Sequence, residues 1–331
     1  MPVDFTVAIC TYNGASRLPE VLERLRQQVY PPSLRWEVLV IDNNSTDNTA
    51  EIVKTFQTRF SPTVPLIYAV ECKQGLAYGR QKAMELANGK YVGFLDDDNL
   101  ATPQWVAEAF GFGEANPKVG AYGSRIFGEF EVTPPPNFDK LAPFLALTDR
   151  GGEARIYEPH HKILPPGAGL VIRRQAWLDH VPTEIQLSGR VGNSMVCGED
   201  LEAVLYIQQA GWEVWYNPKM CIYHQIPHWR LEREYLLRLF RGIGLSRYRT
   251  RMLSVKTWQR PAATVAYMIN DLRKVVSHLV KHKTAIRDNL VAACELELYV
   301  ASLQSPFYLK ALQKSKQAEK SSSLDMGLHH S

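Results

Sequence analysis

Apolar and polar positions alternate in blocks through the first third of the chain. Phe5 to Cys10 (FTVAIC) is a short, mostly apolar run and reads as a strand buried on both faces. After the polar loop Thr11-Tyr12-Asn13-Gly14, residues Leu18, Val21, Leu22 and Leu25 recur at helical spacing. They predict a helix capped by Ser16, running through Gln28 and stopped by Pro31-Pro32. Trp36 to Ile41 is a second strand ending on Asp42, and the loop Asn43–Asp47 precedes a helix over Thr49–Phe60, with Asp47 or Thr46 as its cap. Leu66 to Val70 is a third strand. A helix follows from Gly75 to about Ala87, closed by Asn88-Gly89, and then a fourth strand, Tyr91-Val92-Gly93-Phe94-Leu95. This β-α-β-α-β-α-β order predicts an α/β fold with a mostly parallel, Rossmann-like sheet and helices on both faces.

The second half is less regular. A helix is expected to start at Thr102-Pro103, and Val119 to Ile126 reads as a strand. Between residues 127 and 165 no period survives; Pro134-Pro135-Pro136, Pro143 and Gly151-Gly152 mark a long loop of the kind used as a lid or acceptor segment. Pro165-Pro166-Gly167-Ala168-Gly169 leads into a strand over Leu170–Arg174. A helix follows from Glu199 to Gly211, then a strand over Trp212–Tyr216. Leu231 to Leu253 predicts a basic amphipathic helix broken near Gly242-Ile243-Gly244, and a further helix is expected over Ala285–Leu303. Thr264 to Lys283 carries a 3-4-3-4 apolar stripe through Val265, Met268, Ile269, Leu272, Val275, Val276, Leu279 and Val280. These boundaries suggest a catalytic-type domain at 1–228, in halves of about 1–125 and 126–228. A basic helical extension at 229–313 and a polar tail at 314–331, expected to be disordered, complete the chain.

Charge sharpens that division. The 331 residues carry a net charge of +4, yet His228 to Lys283 holds thirteen Lys/Arg against three Asp/Glu, a local +10 that leaves −6 for the rest. An anionic membrane surface against 228–283 is one expectation; packing of these helices on the catalytic domain, or on a second copy as a homodimer, is the other. Nothing resembles a helix-turn-helix or an aromatic-interleaved basic sheet, so no nucleic-acid partner is expected. Five widely spaced cysteines without a C-x-x-C argue against a disulfide framework and a zinc site. The N-terminus has no basic, then apolar, leader pattern, and no window is apolar enough to span a bilayer, so a cytoplasmic protein, soluble or peripheral on the inner face of the membrane, is expected.

The candidate chemistry sits at strand ends. Asp96-Asp97-Asp98 follow the fourth strand directly, where open α/β sheets hold ligands. Three adjacent acids suit a divalent cation carrying phosphate, and equally an acidic turn. Asp42 closes a neighbouring strand and could meet a base or ribose, or cap its own loop. Gly75 and Gly79 allow close backbone approach, and Arg80 could neutralise phosphate. Glu199 and Asp200 begin a helix, where acids either cap or serve as a general base. His224 follows an apolar segment and is open to a structural or a metal-binding role. The first βα turn lacks G-x-G-x-x-G, which disfavours a nicotinamide enzyme.

Five segments in this order resemble the family 2 glycosyltransferases, inverting enzymes of the GT-A fold. They are Cys10-Thr11-Tyr12-Asn13-Gly14, Val40-Ile41-Asp42-Asn43-Asn44-Ser45-Thr46-Asp47, Gly75-Leu76-Ala77-Tyr78-Gly79-Arg80, Phe94-Leu95-Asp96-Asp97-Asp98 and Gly198-Glu199-Asp200. The resemblance covers about residues 4–225. It implies sugar transfer from a nucleotide-diphosphate sugar, with a UDP-sugar foremost, to a glycan or lipid-linked acceptor in polysaccharide biosynthesis. It implies Mn²⁺ or Mg²⁺ as cofactor. By residue, it implies nucleotide-sugar contacts at Thr11, Tyr12, Asn13, Asp42, Gly75, Arg80, Asp96 and Asp97. Asp98 and His224 would be metal ligands, and Asp200 the catalytic base with Glu199 beside it. The chain departs from the family in having Cys10 where proline is frequent, and in the unmatched segment 127–165. The alternatives are a non-catalytic nucleotide-sugar-binding or scaffold protein of a glycan assembly complex and, further off, a nucleotidyltransferase, which would usually bring a Gly-rich phosphate loop that this chain lacks.

Overall fold

The structure, a computed structural model, describes residues 2–159, 163–190, 192 and 194–327, with side chains up to Lys314. It divides into two units: residues 1–191 with 199–232, and residues 192–198 with 233–331. The expected boundary at 228/229 thus falls four residues later.

In the first unit the elements run β1 (Phe5–Thr11), α1 (Leu18–Arg26), β2 (Trp36–Asp42), α2 (Thr49–Gln57), β3 (Leu66–Val70), α3 (Leu76–Leu86) and β4 (Tyr91–Asp96). They continue with β5 (Asn99–Ala101), α4 (Trp105–Ala115), β6 (Val119–Phe130), β7 (Arg155–Ile156), β8 (Val171–Arg173), α5 (Arg174–His180), α6 (Glu199–Gln209) and β9 (Glu213–Ile226). Among the described residues one sheet has the order β3-β2-β1-β4-β8-β6-β9-β5, with β7 paired to β9. β1 to β4 are parallel, as the apolar runs predict. Beyond β4 the sheet is mixed: β8 is antiparallel to β4 and β6, β6 is parallel to β9, and β5 and β7 are antiparallel to β9. "Mostly parallel" therefore holds only for the first half.

Each face of the sheet carries its own core. Phe5, Val7 and Ile9 point into one cluster with Leu18, Leu22 and Trp105. Ala8, Leu39 and Ile41 point into the other with Met84, Trp177 and Val204. This two-sided burial is why the strands lack an apolar–polar alternation. α1 starts at Leu18 with Arg17 as its cap residue, and no side chain caps it, so Ser16 does not perform that task. α4 begins at Trp105, later than Thr102-Pro103, because the Thr102 amide and hydroxyl both donate to the Cys221 carbonyl on β9. The patternless segment holds short 3₁₀ turns at Phe138–Lys140 and Ala142–Leu145 and the strand β7.

The second unit contains α7 (Arg233–Leu253), α8 (Arg260–His282) and α9 (Leu290–Gly327). α7 is continuous; Gly242 and Gly244 do not break it. They let backbone approach: a Cβ on Gly242 would lie 2.0 Å from the Met195 carbonyl oxygen, and one on Gly244 would lie 2.5 Å from the Ala301 Cβ on α9. α9 stays helical to Gly327, past the Lys314 where disorder was expected; residues 328–331 lie outside the described residues. All five cysteines are free. No described helix is long and apolar enough to cross a membrane.

Candidate active site

The carboxyl ends of three neighbouring parallel strands bring the sequence-marked acids to one edge. Thr11 on β1 is in register with Asp42 on β2, and Cys10 with Asp96 on β4. Burial pushes the Cys10 thiol up to about 12, despite the opposing pull of Arg80, so it stays protonated beneath this edge.

The three adjacent acids separate into three different environments. Asp97 is the most committed. Its carboxylate accepts from the Thr11 hydroxyl at 2.6 Å and from Arg17 through Nε at 2.8 Å and Nη2 at 2.9 Å. Gly14 is required above this pair, since a Cβ there would come within 2.1 Å of the Thr11 Oγ1. Both Thr11 and Asp97, expected on the nucleotide sugar, thus pin the first loop to the end of β4. Arg17 was not marked by the sequence.

Asp98 is buried. Its Oδ2 accepts from Arg230 Nη2 at 2.8 Å, its Oδ1 accepts from Asn99 Nδ2 at 3.0 Å, and His224 Nε2 lies 3.6 Å from Oδ1. Burial alone would raise this carboxyl, but the Arg230 guanidinium beside it holds it well below the usual carboxylate range. Arg230 Nη1 also donates to His224 Nε2 at 2.9 Å. Arginine only donates, so in this arrangement Nε2 accepts, the ring proton sits on Nδ1, and Arg230 is the cation of the trio. Among the described residues, His224 Nδ1 is buried without a partner. The pairing expected of Asp98 and His224 is present in space. Arg230, which ties them together, was read only as part of the basic extension.

Asp96 keeps the most freedom: 36% of its side chain is exposed, and Arg80 approaches only to 4.0 Å. Surrounding protein bulk and the Asp98 charge both push its carboxyl up.

Arg80 is buried and donates to Glu199 Oε1 at 2.8 Å. Arg80, expected near phosphate, and Glu199, expected beside the base, are thus joined to each other. Together they form a buried ion pair that fastens α3 to the start of α6. Burial and the Asp200 charge raise the Glu199 carboxyl against the pull of Arg80. Asp200 lies half-buried beside them. Its Oδ2 accepts from the Gly167 amide at 2.5 Å and its Oδ1 from the Leu201 amide at 2.8 Å. A Cβ on Gly167 would meet Arg80 Nη2 at 2.2 Å and Asp200 Oδ2 at 2.8 Å, so the proline-glycine turn closes directly on the acidic helix start.

The remaining marked residues shape the rim. Asp42 accepts from the Ser45 amide at 2.8 Å and the Tyr68 hydroxyl at 2.6 Å, capping its own loop. Asn13 has φ 50° and accepts from the Thr46 amide at 2.8 Å, so it joins two loops and does not face the crevice alone. Tyr12 is 47% exposed. Gly75, at φ 132°, donates to Asn43 Oδ1 at 2.7 Å. Asn43 also donates to the Glu71 and Lys73 carbonyls, and so organises the loop before α3.

Comparison with known proteins identifies the family and the fold. The Glycosyl transferase family 2 profile matches residues 6–176. A glucosyl-dolichyl phosphate glucuronosyltransferase of Haloferax volcanii is 25% identical over 236 residues, 70% of this chain and 72% of that protein. Glycosyltransferase AglE of the same organism is 36% identical over 101 residues, but these span only 32% of its length. Among solved structures, the mannosyltransferase PcManGT from Pyrobaculum calidifontis in complex with GDP-Man and Mn²⁺ superposes with a TM-score of 0.56 at 20% identity, over 97% of this chain and 90% of that one. S. aureus TarS 1-349 in complex with UDP-GlcNAc gives 0.52 at 15% identity, over 91% of each. With the profile covering just over half of its length and the same fold in its structural neighbours, the chain belongs to glycosyl transferase family 2 and has the GT-A fold.

Proposed function

We propose that this chain is an inverting, metal-dependent glycosyltransferase of the hexosyltransferase type. It would move a sugar from a nucleotide-diphosphate sugar, with UDP-sugars as the leading class, to a hydroxyl of a glycan or lipid-linked acceptor in polysaccharide biosynthesis, on the inner face of a membrane. The observation that carries the reading is the meeting of two acidic groups around Arg80: Asp96 at 4.0 Å on the β4 side, and Glu199, next to Asp200, at 2.8 Å on the α6 side. A donor-binding edge and a base-bearing helix thus share one crevice. The GDP-Man and UDP-GlcNAc complexes of the structural neighbours agree with such a donor.

Asp98 and His224 fit a divalent cation such as Mn²⁺ or Mg²⁺. A carboxylate and an imidazole nitrogen converge to 3.6 Å, and both already face a cation, the Arg230 guanidinium. When bound, such a cation neutralises charge on the departing nucleoside diphosphate. The chain's own residues do the rest. Asp42 and Asp96 retain acceptor capacity for the base and ribose, since each carboxylate oxygen offers two lone pairs. Tyr12 offers an exposed ring beside them. Asp200, oriented by the Gly167 and Leu201 amides, removes the proton from the acceptor hydroxyl as that oxygen attacks the anomeric carbon from the far side. One displacement inverts the centre. Arg80 and Glu199 hold the base in place.

A screen of UDP-, GDP- and dTDP-sugars for Mn²⁺-dependent hydrolysis tests the reading. Hydrolysis of one donor class, lost in Asp98→Ala, is expected. If none is hydrolysed while calorimetry still registers UDP binding, the chain is a non-catalytic nucleotide-sugar-binding protein.

A further inference from the structure

α8 is built inside out. Its apolar residues face solvent: Val265 is 58% exposed, Ile269 64%, Leu272 52%, Val276 53%, Leu279 44% and Val280 66%. Its buried positions are polar. Asp271 accepts two bonds from Arg251 on α7, and His278 Nε2 bonds the Ala292 carbonyl on α9 at 2.8 Å. The 3-4 spacing places the six exposed aliphatics on one face, about 22 Å long at about 1.5 Å per residue. Trp258, 77% exposed, stands just ahead of the helix.

The segment that carries this face is strongly basic. Between Lys256 and Arg287 the chain carries seven Lys/Arg, namely Lys256, Arg260, Arg273, Lys274, Lys281, Lys283 and Arg287. The single acid in that stretch is Asp271, which is buried and paired. A symmetric contact with a second copy would cover the aliphatic stripe but bring cationic flanks together with no acid of this segment to meet them. An anionic surface with an apolar interior meets both demands at once. Helices of this type lie in the interface plane, with aromatic residues at the headgroup level and basic residues on the flanks. The absence of a spanning helix among the described residues agrees with lying on the surface rather than crossing.

We infer that the exposed face of α8 is a docking surface for an anionic phospholipid bilayer, with Ile269 and Val276 at its centre, Arg273 along its edge and Lys281 exposed further round the same helix. The proposed lipid-linked acceptor gives this docking a purpose, but the inference stands without it, because the assay needs no sugar donor.

The test is flotation of the full chain with vesicles of phosphatidylcholine alone, or of phosphatidylcholine with 30% phosphatidylglycerol. Binding to the anionic vesicles is expected, at least tenfold above neutral ones, and weakened at 0.5 M salt by charge screening. The double variant Ile269→Glu/Val276→Glu, placed on exposed positions, keeps its melting temperature and its donor hydrolysis in solution but loses at least tenfold in vesicle binding. Arg273→Glu/Lys281→Glu loses the preference for anionic lipid. Wild-type protein that ignores anionic vesicles, or an Ile269→Glu/Val276→Glu variant that floats like wild type, overturns the inference. So does a concentration-dependent dimer in analytical ultracentrifugation that this variant abolishes, because the face would then belong to a second copy. Failed hydrolysis with intact flotation would count only against the sugar-transfer reading.

Discussion

Arg230 decides how the acidic centre is balanced, and replacing it gives a quantitative test. Asp98 and Arg230 are 6% and 16% exposed, and the same guanidinium donates to His224 at 2.9 Å. Removing one partner of a buried pair leaves a desolvated charge, typically at about 3–5 kcal/mol. Arg230 keeps some solvent contact, so the low end, about 3 kcal/mol, applies. For a unit of this size that lowers the melting temperature by about 6–12 °C.

A divalent cation changes this cost. If Asp98 and His224 hold it, the cation and the guanidinium compete for the same two donors. Arg230→Ala then presents the donors free, so Mn²⁺ stabilises the variant more than wild type. Saturation at about 100 times Kd is worth about 2.7 kcal/mol, nearly all of what the substitution removed. The assay is thermal melting of the full chain in EDTA and in Mn²⁺, with wild type and Arg230→Ala side by side. A large deficit in EDTA that closes in Mn²⁺ is expected. Equal Mn²⁺ shifts for the two proteins would refute competition for shared donors. Equal melting temperatures in EDTA would refute Arg230 as the counter-charge of Asp98.

Three further outcomes follow from the same geometry. Asp200→Asn keeps an accepting oxygen for only one of the two amide contacts and removes the proposed base, so turnover falls by about 10²–10⁴-fold, while calorimetric donor binding stays unchanged. Gly167→Ala drives a Cβ to 2.2 Å from Arg80 Nη2; overpacking of this kind costs about 1–3 kcal/mol, read by denaturant unfolding, and unchanged stability would mean that the turn yields freely. The Asp98 carboxyl is held low in the fold. Its contribution to stability is therefore complete above the unfolded value of about 3.9 and is lost as pH falls further. The melting temperature of Asp98→Asn should accordingly fall less steeply than wild type in that acid range.

How much of this was legible in the chain depends on how far each decisive contact reaches. β1 to β4 were readable because each is a local apolar run closed by a polar loop. β9 was read only in part. Its fourteen residues include Asn217, Pro218 and Lys219, and its pairing with β6 shifts register between Ser124 and Arg125. No period survives such a bulge. The stripe of α8 was visible too, but not which side meets solvent. That is set by Arg251 and Ala292, on other helices, which take in Asp271 and His278.

The acidic triplet shows the same limit at the scale of single residues. Three identical side chains follow one strand, and local pattern gives no reason to rank them. Arg17, 80 positions from Asp97, and Arg230, 132 positions from Asp98, do the ranking. Asp97 is locked into the first loop, and Asp98 is drawn down to His224. For Asp96, Arg80 stops at 4.0 Å because its Nη1 is spent on Glu199. The acid left facing the crevice is thus chosen by an ion pair on the opposite wall. The Arg80–Glu199 pair thereby leaves Asp96 open and stands directly beside Asp200.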